Sequence, residues 1–295
     1  MIPMGEYSIK DVEKLSGIKA HTIRIWEKRY GIIRPDRSDT NRRKYTDSDL
    51  RKLINISILN RNGFKISKIA SMSFPEIEDK VSFISKDVNQ SDTQIETLLI
   101  SMFNFDETSF SEQINRSIIS LGFENTFNRI VFPFLKRVGV LWVTGTITPA
   151  QEHFISNLIR QKLISNIDAL VSKKREDIKR ILFFLPENEL HEIGLLFFMY
   201  IARKNGHKVL CLGSQTPLMS VVEAFKQWPA DIIVTGTLSE FSGVQKEEYL
   251  KKLSELFSKQ VVIISGTLAL DIQGHLPRNI KPAHNADEFI RLITV

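Results

Sequence analysis

A histidine set among carboxylates, Glu189-Leu190-His191-Glu192-Ile193-Gly194, stands where a continuous apolar run hands over to a helical pattern. Earlier in the chain, Trp142 is followed after nine residues by the pair Glu152-His153. Neutral imidazole is a good ligand for a transition metal, and a nearby carboxylate fixes its tautomer and raises its basicity. Glycine at position 194 has no Cβ, so the start of the next helix can approach a bulky ligand closely. The bland alternatives stay open on the residues alone: an exposed histidine at a helix start, a tryptophan in a helical core, a glutamate-histidine pair on a surface.

Other chemistry finds little support. The chain has no glycine-rich phosphate loop, no nucleophile elbow and no pair of histidines at helical zinc-binding spacing. Its single cysteine, Cys211, excludes an intrachain disulfide and an all-cysteine zinc site, and the apolar run Val209 to Leu212 makes it a small hydrophobe. With 295 residues, 42% hydrophobic and 25% charged, the chain has room for two or three packed domains. The opening Met1-Ile2-Pro3-Met4-Gly5 lacks the basic and apolar run of a signal peptide, and no stretch approaches a membrane span. A cytoplasmic location is expected.

The net charge of +6 is unevenly placed. Residues 1–72 hold 16 Lys and Arg against 8 Asp and Glu, which is +8, so residues 73–295 carry −2. A local cationic excess suits a polyanion through phosphate contacts and counterion release. Within this segment Ser8 is a candidate N-cap, and Ile9, Val12 and Leu15 repeat at helical spacing. Ser16-Gly17-Ile18 makes a tight break before a second helix over about 19–29, which gives helix-turn-helix spacing. Pro35, the polar run 36–40 and the cations Arg42, Arg43 and Lys44 predict a basic hairpin or wing on phosphate. Thr46-Asp47-Ser48-Asp49 opens the next helix as a near capping box.

Residues 7–70 resemble the MerR-type winged-helix DNA-binding domain through Tyr7-Ser8-Ile9, Ser16-Gly17-Ile18, Thr22 to Glu27, Arg43-Lys44-Tyr45 and Asp49-Leu50. The resemblance implies that His21, Thr22 and Arg24 face the major groove and that Arg42, Arg43 and Lys44, with Tyr45 in the wing, meet the backbone of double-stranded DNA. It also implies self-association, because such heads bind pseudo-palindromes as dimers. Trp26 and Tyr45 are the candidates for core or wing packing instead.

Four domains or segments are expected: the winged-helix head over 1–75, a linker with some helix over 76–92, a helical bundle over 93–173, and an α/β domain over 178–295. The bundle is read from helical periodicity in Ile95 to Met102, Phe110 to Ile118, Phe127 to Leu141 and Phe154 to Leu163. The last domain is read from short apolar runs alternating with helices, the pattern of a parallel sheet covered on both faces. A flavodoxin-like (Rossmann-like) fold follows, with its ligand crevice at the carboxyl ends of the strands and His191 just after the first of them. Val261 to Ser265 is read as the last strand, before a looser end.

The segment Glu189 to Gly194 resembles the cobalamin-binding loop whose histidine is the lower axial ligand of cobalt. Trp142, Glu152 and His153 resemble the residues with which CarH/LitR-type regulators cap the upper face of adenosylcobalamin. The order of winged helix, helical cap and cobalamin fold is the order of that family. The resemblance implies a transcriptional regulator under cobalamin control, forming a dimer or tetramer, with His191 on cobalt. Thr235, Thr237, Ser265 and Gly266 are implied near the nucleotide tail. Four positions depart from the pattern. Glu189 replaces an aspartate, Val143 stands where light-sensing members place a histidine, Gly236 replaces a serine, and Ser265-Gly266 replaces a glycine pair. Valine cannot ligate a metal, so the departure argues against light-driven conversion to a bis-histidine state unless His153 substitutes. Two alternatives remain at this stage: a corrinoid-carrying methyl-transfer subunit, which has no need of a winged helix, and a MerR-type regulator with a different effector.

Overall fold

The computed structural model describes residues 7–37, 42–61, 63–84, 91–143, 145–171, 177–238, 243–270 and 276–294. The chain forms two compact units, Met1–Leu158 and Ile159–Val295.

In the first unit, α1 (Ile9–Ser16) starts at a capping box in which Ser8 and Asp11 exchange bonds, and ends at Gly17 with φ +70. Left-handed backbone of this kind favours glycine, and it turns the chain into α2 (Ala20–Tyr30) within three residues. The strands β1 (Asp36–Arg37) and β2 (Arg43–Lys44) pair antiparallel, so the expected wing is a hairpin. Thr46 and Asp49 form the expected capping box of α3 (Asp47–Arg61). The core of the head is Val12, Ile18, Ile23, Tyr45, Leu50, Leu53 and Ile54, all buried. After α4 (Ile66–Ala70) comes α5 (Phe74–Ile84), which packs on α3 with Ile77 and Val81 buried. Half of the expected linker is therefore a helix of the head. Phe74, Ile77, Val81 and Ile84 do recur at helical spacing, but Pro75 and the charges at 76 and 78–80 lie among them and dilute the pattern.

The bundle follows as α6 (Ser91–Asn104), α7 (Glu107–Leu121), α8 (Phe123–Thr126), α9 (Phe132–Val143) and α10 (Pro149–Asp168). Between α8 and α9 the backbone widens into one π-helical turn, Phe127–Val131, where the N–H of Phe132 reaches back five residues to the carbonyl of Phe127. Pro133 has no N–H to offer the ladder, which accounts for a break at this point. Phe110 and Phe134, 5.7 Å apart, and Phe123 and Phe127, 4.6 Å apart, fill the interior. Helix α10 runs across the division between the units.

In the second unit five parallel strands, β3 (Arg180–Phe183), β4 (Lys208–Cys211), β5 (Ile232–Thr237), β6 (Val261–Gly266) and β7 (Ile280–Pro282), lie in the order β4-β3-β5-β6-β7. Helices α11 (Ile193–Lys204), α12 (Leu218–Gln227), α13 (Gly243–Leu256) and α14 (Ala286–Thr294) complete it. This is the flavodoxin-like order, and β3 sits at the switch point, paired on one side with β4 and on the other with β5. The expected looser end is in fact β7 and α14. Three residues with a proline make a weak strand signal, while α14 is held by Phe289, stacked on Phe198 of α11 at 4.3 Å. Among the described residues no helix is long and apolar enough to cross a membrane.

Candidate functional site

The loop from β3 to α11 carries the candidate metal ligand. Glu189 is 1% exposed, and its Oε1 accepts the backbone N–H of His191 at 2.8 Å while lying 2.6 Å from the ring Nδ1. Its Oε2 accepts the N–H of Leu238, just beyond β5, at 2.7 Å, and its carbonyl accepts the N–H of Gln215, just beyond β4, at 3.2 Å. One buried acid thus ties together the chain leaving three adjacent strands at the switch point. The longer side chain of glutamate, against aspartate, supplies the reach to both His191 and the Leu238 N–H, while the bond from Gln215 is to the main chain. An ionised carboxylate only accepts, so the hydrogen-bond partners assign the imidazole proton to Nδ1 and leave the lone pair on Nε2. The His191 side chain is 56% exposed. Glu192 pairs with Arg160. A Cβ on Gly194 would meet no protein atom within 4 Å, so packing inside the chain does not require glycine there.

The two departures at the carboxyl ends of β5 and β6 face one another. Gly236 and Ser265 are register partners, and a Cβ built on Gly236 would lie 2.3 Å from Ser265 Oγ. The serine hydroxyl occupies the space that a side chain on the neighbouring strand would need. Gly266, at φ +64, is pressed against the Thr237 carbonyl, where a Cβ would lie at 2.0 Å. Gly266 is needed for the two strands to close this tightly, whereas Gly236 is needed because Ser265 Oγ fills the space beside it. Thr237 Oγ1 lies 2.7 Å from Thr267 Oγ1, and Ser265 Oγ donates to the Thr235 carbonyl at 3.4 Å. The Thr235 side chain is buried beside the Tyr249 phenol; burial raises the pKa of that phenol, and the Thr235 hydroxyl partly offsets the rise.

In the first unit, α9 ends in a Schellman cap. Gly145, at φ +67, donates its N–H to the carbonyl of Trp142 at 3.0 Å, and Thr146 donates to Leu141 at 2.8 Å. Trp142 itself is 47% exposed, so it is not bundle core. Thr148 and Gln151 form a capping box with Pro149 in the first helical position of α10. That start places Glu152 and His153 in the first turn, where a carboxylate is favoured by the helix dipole. Glu152 Oε1 accepts the Ser156 hydroxyl at 2.5 Å, and Oε2 lies 2.9 Å from His153 Nδ1. Val143 closes α9, and its backbone alone is described.

On the head, His21 and Arg24 are exposed on α2 and Thr22 is half-buried, its hydroxyl 3.2 Å from His21 Nε2. Spacing of three and four residues puts His21, Arg24, Ile25 and Lys28 on one face. Arg42 is exposed and Lys44 half-buried. Arg43 is anchored instead: its Nε donates to Glu27 Oε2 at 2.9 Å, and this bond raises its pKa. Tyr45 corrects the expectation that it meets DNA. It is fully buried, its phenol pushed up to about 12 chiefly by that burial, and its backbone forms a two-way bridge with Tyr7. It belongs to the base of the wing.

Among the described residues no cluster of three or more His, Cys, Asp or Glu side chains could hold a bare metal ion. The site offers one imidazole with its second nitrogen set by a buried acid, beside a glycine that packing does not need. These residues fit a cobalt corrin. Sequence reasoning missed Leu238 and Gln215. Their signal was their place one or a few residues past β5 and β4, where an α/β sheet presents its loops to a ligand.

Residues 7–73 match the family described as MerR HTH family regulatory protein, and residues 94–164 match the B12 binding domain. The chain is 28% identical over 271 residues to the HTH-type transcriptional repressor CarH of Myxococcus xanthus, covering 89% of each protein. It is 25% identical to the repressor CarA of the same organism, covering 76% of this chain and 74% of that one. The regulator MlrA of Escherichia coli is 35% identical over 66 residues, 22% of this chain and 27% of that one. The monomethylamine corrinoid protein of Methanosarcina barkeri shares the fold, with a TM-score of 0.53 at 17% identity over 69% of this chain and 98% of that one. The chain therefore joins a MerR-type helix-turn-helix domain to a B12-binding domain and a flavodoxin-like parallel α/β fold, and it is similar to the CarH and CarA repressors over most of its length.

Proposed function

We propose that the protein is a DNA-binding transcriptional regulator whose DNA binding, oligomeric state or both respond to cobalamin, with adenosylcobalamin as the favoured form. The observation that carries this reading is the Glu189-His191 pair at the switch point, in a chain that also holds a helix-turn-helix head. His191 Nε2 would ligate cobalt, with Glu189 holding the ring and keeping the proton on Nδ1. Gly194 leaves room at the helix start. Trp142, Glu152 and His153 would contact the bound corrin, and Thr235, Thr237, Ser265 and Gly266 would shape the site of its nucleotide tail. When bound, cobalamin supplies a cobalt whose upper organic ligand can be lost through light or chemistry.

In the head, His21, Thr22 and Arg24 read the major groove, Arg42 and Lys44 meet phosphate, and Arg43 with Tyr45 builds the wing that carries them. A pseudo-palindromic site then calls for a homo-oligomer, dimer or tetramer, in the cytoplasm. The head also argues against a methyl-transfer subunit, and the relatives that cover most of the chain are named as repressors rather than enzymes. Because position 143 is valine, a light response through a second imidazole falls to His153.

The test is a visible spectrum of the full-length protein after incubation with adenosylcobalamin in the dark and desalting, beside His191→Ala. A retained corrin spectrum that is altered or lost in the variant supports the reading. Wild-type protein that emerges colourless overturns it. Illumination followed by sizing then reports on the light response.

A further inference from the structure

We infer that the Tyr7 hydroxyl is a positioning group that couples the cobalamin cap to the DNA-binding wing, an inference that rests on the cobalamin reading above. Tyr7 is 3% exposed, and its hydroxyl donates to the carbonyl of Thr146 at 2.6 Å, across 139 residues of sequence. Thr146 is the residue whose N–H closes the Schellman cap on Leu141, next to Trp142. On its other side Tyr7 exchanges backbone bonds with Tyr45, at 2.8 and 3.0 Å, and Tyr45 directly follows the wing cations Arg43 and Lys44. Four hydrogen bonds therefore run without a break from the turn that sets Trp142 to the base of the wing.

A second attachment keeps this connection from being dissipated. Arg61 at the end of α3 pairs with Glu96 of α6, whose side chain is 2% exposed, and Arg137 of α9 stands 4.0 Å from the same carboxylate. Separating α3 from α6 would take Arg61 from a buried carboxylate and leave it only the more distant Arg137, which is unfavourable. The head is thus held to the bundle at one end while its wing follows the cap turn at the other. A ligand that selects one position of Trp142 selects one position of the Thr146 carbonyl and, through Tyr7, one setting of the wing. Coupling of this kind is reciprocal, so DNA on the wing favours the same cap position.

The experiment is hydrogen exchange on the full-length protein with and without adenosylcobalamin in the dark, comparing wild type with Tyr7→Phe, which removes one oxygen. In wild type, the ligand is expected to slow exchange around Trp142 and, by about five-fold or more, around Tyr45. In Tyr7→Phe the slowing around Trp142 persists and that around Tyr45 is lost. Slowing at Tyr45 that survives in the variant, or is absent in wild type that retains corrin, overturns the relay alone. Wild type that retains no corrin in its visible spectrum overturns the cobalamin reading and the relay with it. Tyr45→Phe, which keeps the Tyr7-Tyr45 backbone bridge, should still show the wild-type response.

Discussion

Glu189 Oε1 lies 2.6 Å from His191 Nδ1 while Oε2 accepts the N–H of Leu238 at 2.7 Å, so the acid that orients the imidazole is itself held by the neighbouring strand. Glu189→Gln keeps the size and loses the charge, and is expected to weaken corrin binding by about 10- to 100-fold. Glu189→Asp shortens the side chain and cannot span both partners, so it should fall between glutamine and wild type. Equilibrium titration followed in the visible range checks the order, and equal affinity for all three proteins would refute the orienting role.

The Gly236-Ser265 contact predicts a suppressor pair. Gly236→Ser alone drives a side chain into Ser265 Oγ and is expected to destabilise the protein by about 1–3 kcal/mol. Adding Ser265→Gly removes the obstacle and should restore most of the loss, with the hydroxyl now carried by β5. Thermal melts of the two single variants and the double variant measure the coupling.

On a fixed DNA duplex, Arg42→Ala should lower the slope of log affinity against log salt by about 1, the signature of one lost phosphate contact. Tyr45→Phe should leave that slope unchanged. Its hydroxyl is buried with no hydrogen-bond partner among the described residues, so its removal is neutral or slightly stabilising. A slope that moves in Tyr45→Phe would return this residue to the DNA surface.

Asp106 caps α7, accepting the N–H of Ser109 at 2.9 Å, and hydrogen bonds with Ser109 hold its pKa below the usual aspartate value. A depressed folded-state pKa means that the contribution is full above the ordinary aspartate range and is lost as pH falls through the depressed value. Asp106→Ala is expected to cost about 1 kcal/mol at neutral pH, with the difference from wild type shrinking in acid. Denaturant melts at several pH values would show whether the gap closes.

The sequence by itself determined what is local. The N-cap at Ser8, the capping box at Thr46, the break at Gly17, the helical repeats of the bundle, the apolar runs of four strands and the loop around His191 were all legible, because each depends on residues within one or two turns. Weak local signals were not: α5 mixes Pro75 and a run of charges into its apolar repeat, and β7 has three residues ending in proline. Tertiary structure alone decided the rest. It buried Tyr45, tied Arg43 to Glu27, brought Leu238 to Glu189 over 49 residues, set Ser265 against Gly236, and joined Tyr7 to Thr146. Each of these depends on strand register or helix packing between distant segments, and side-chain type carries no record of which distant neighbour the fold will supply.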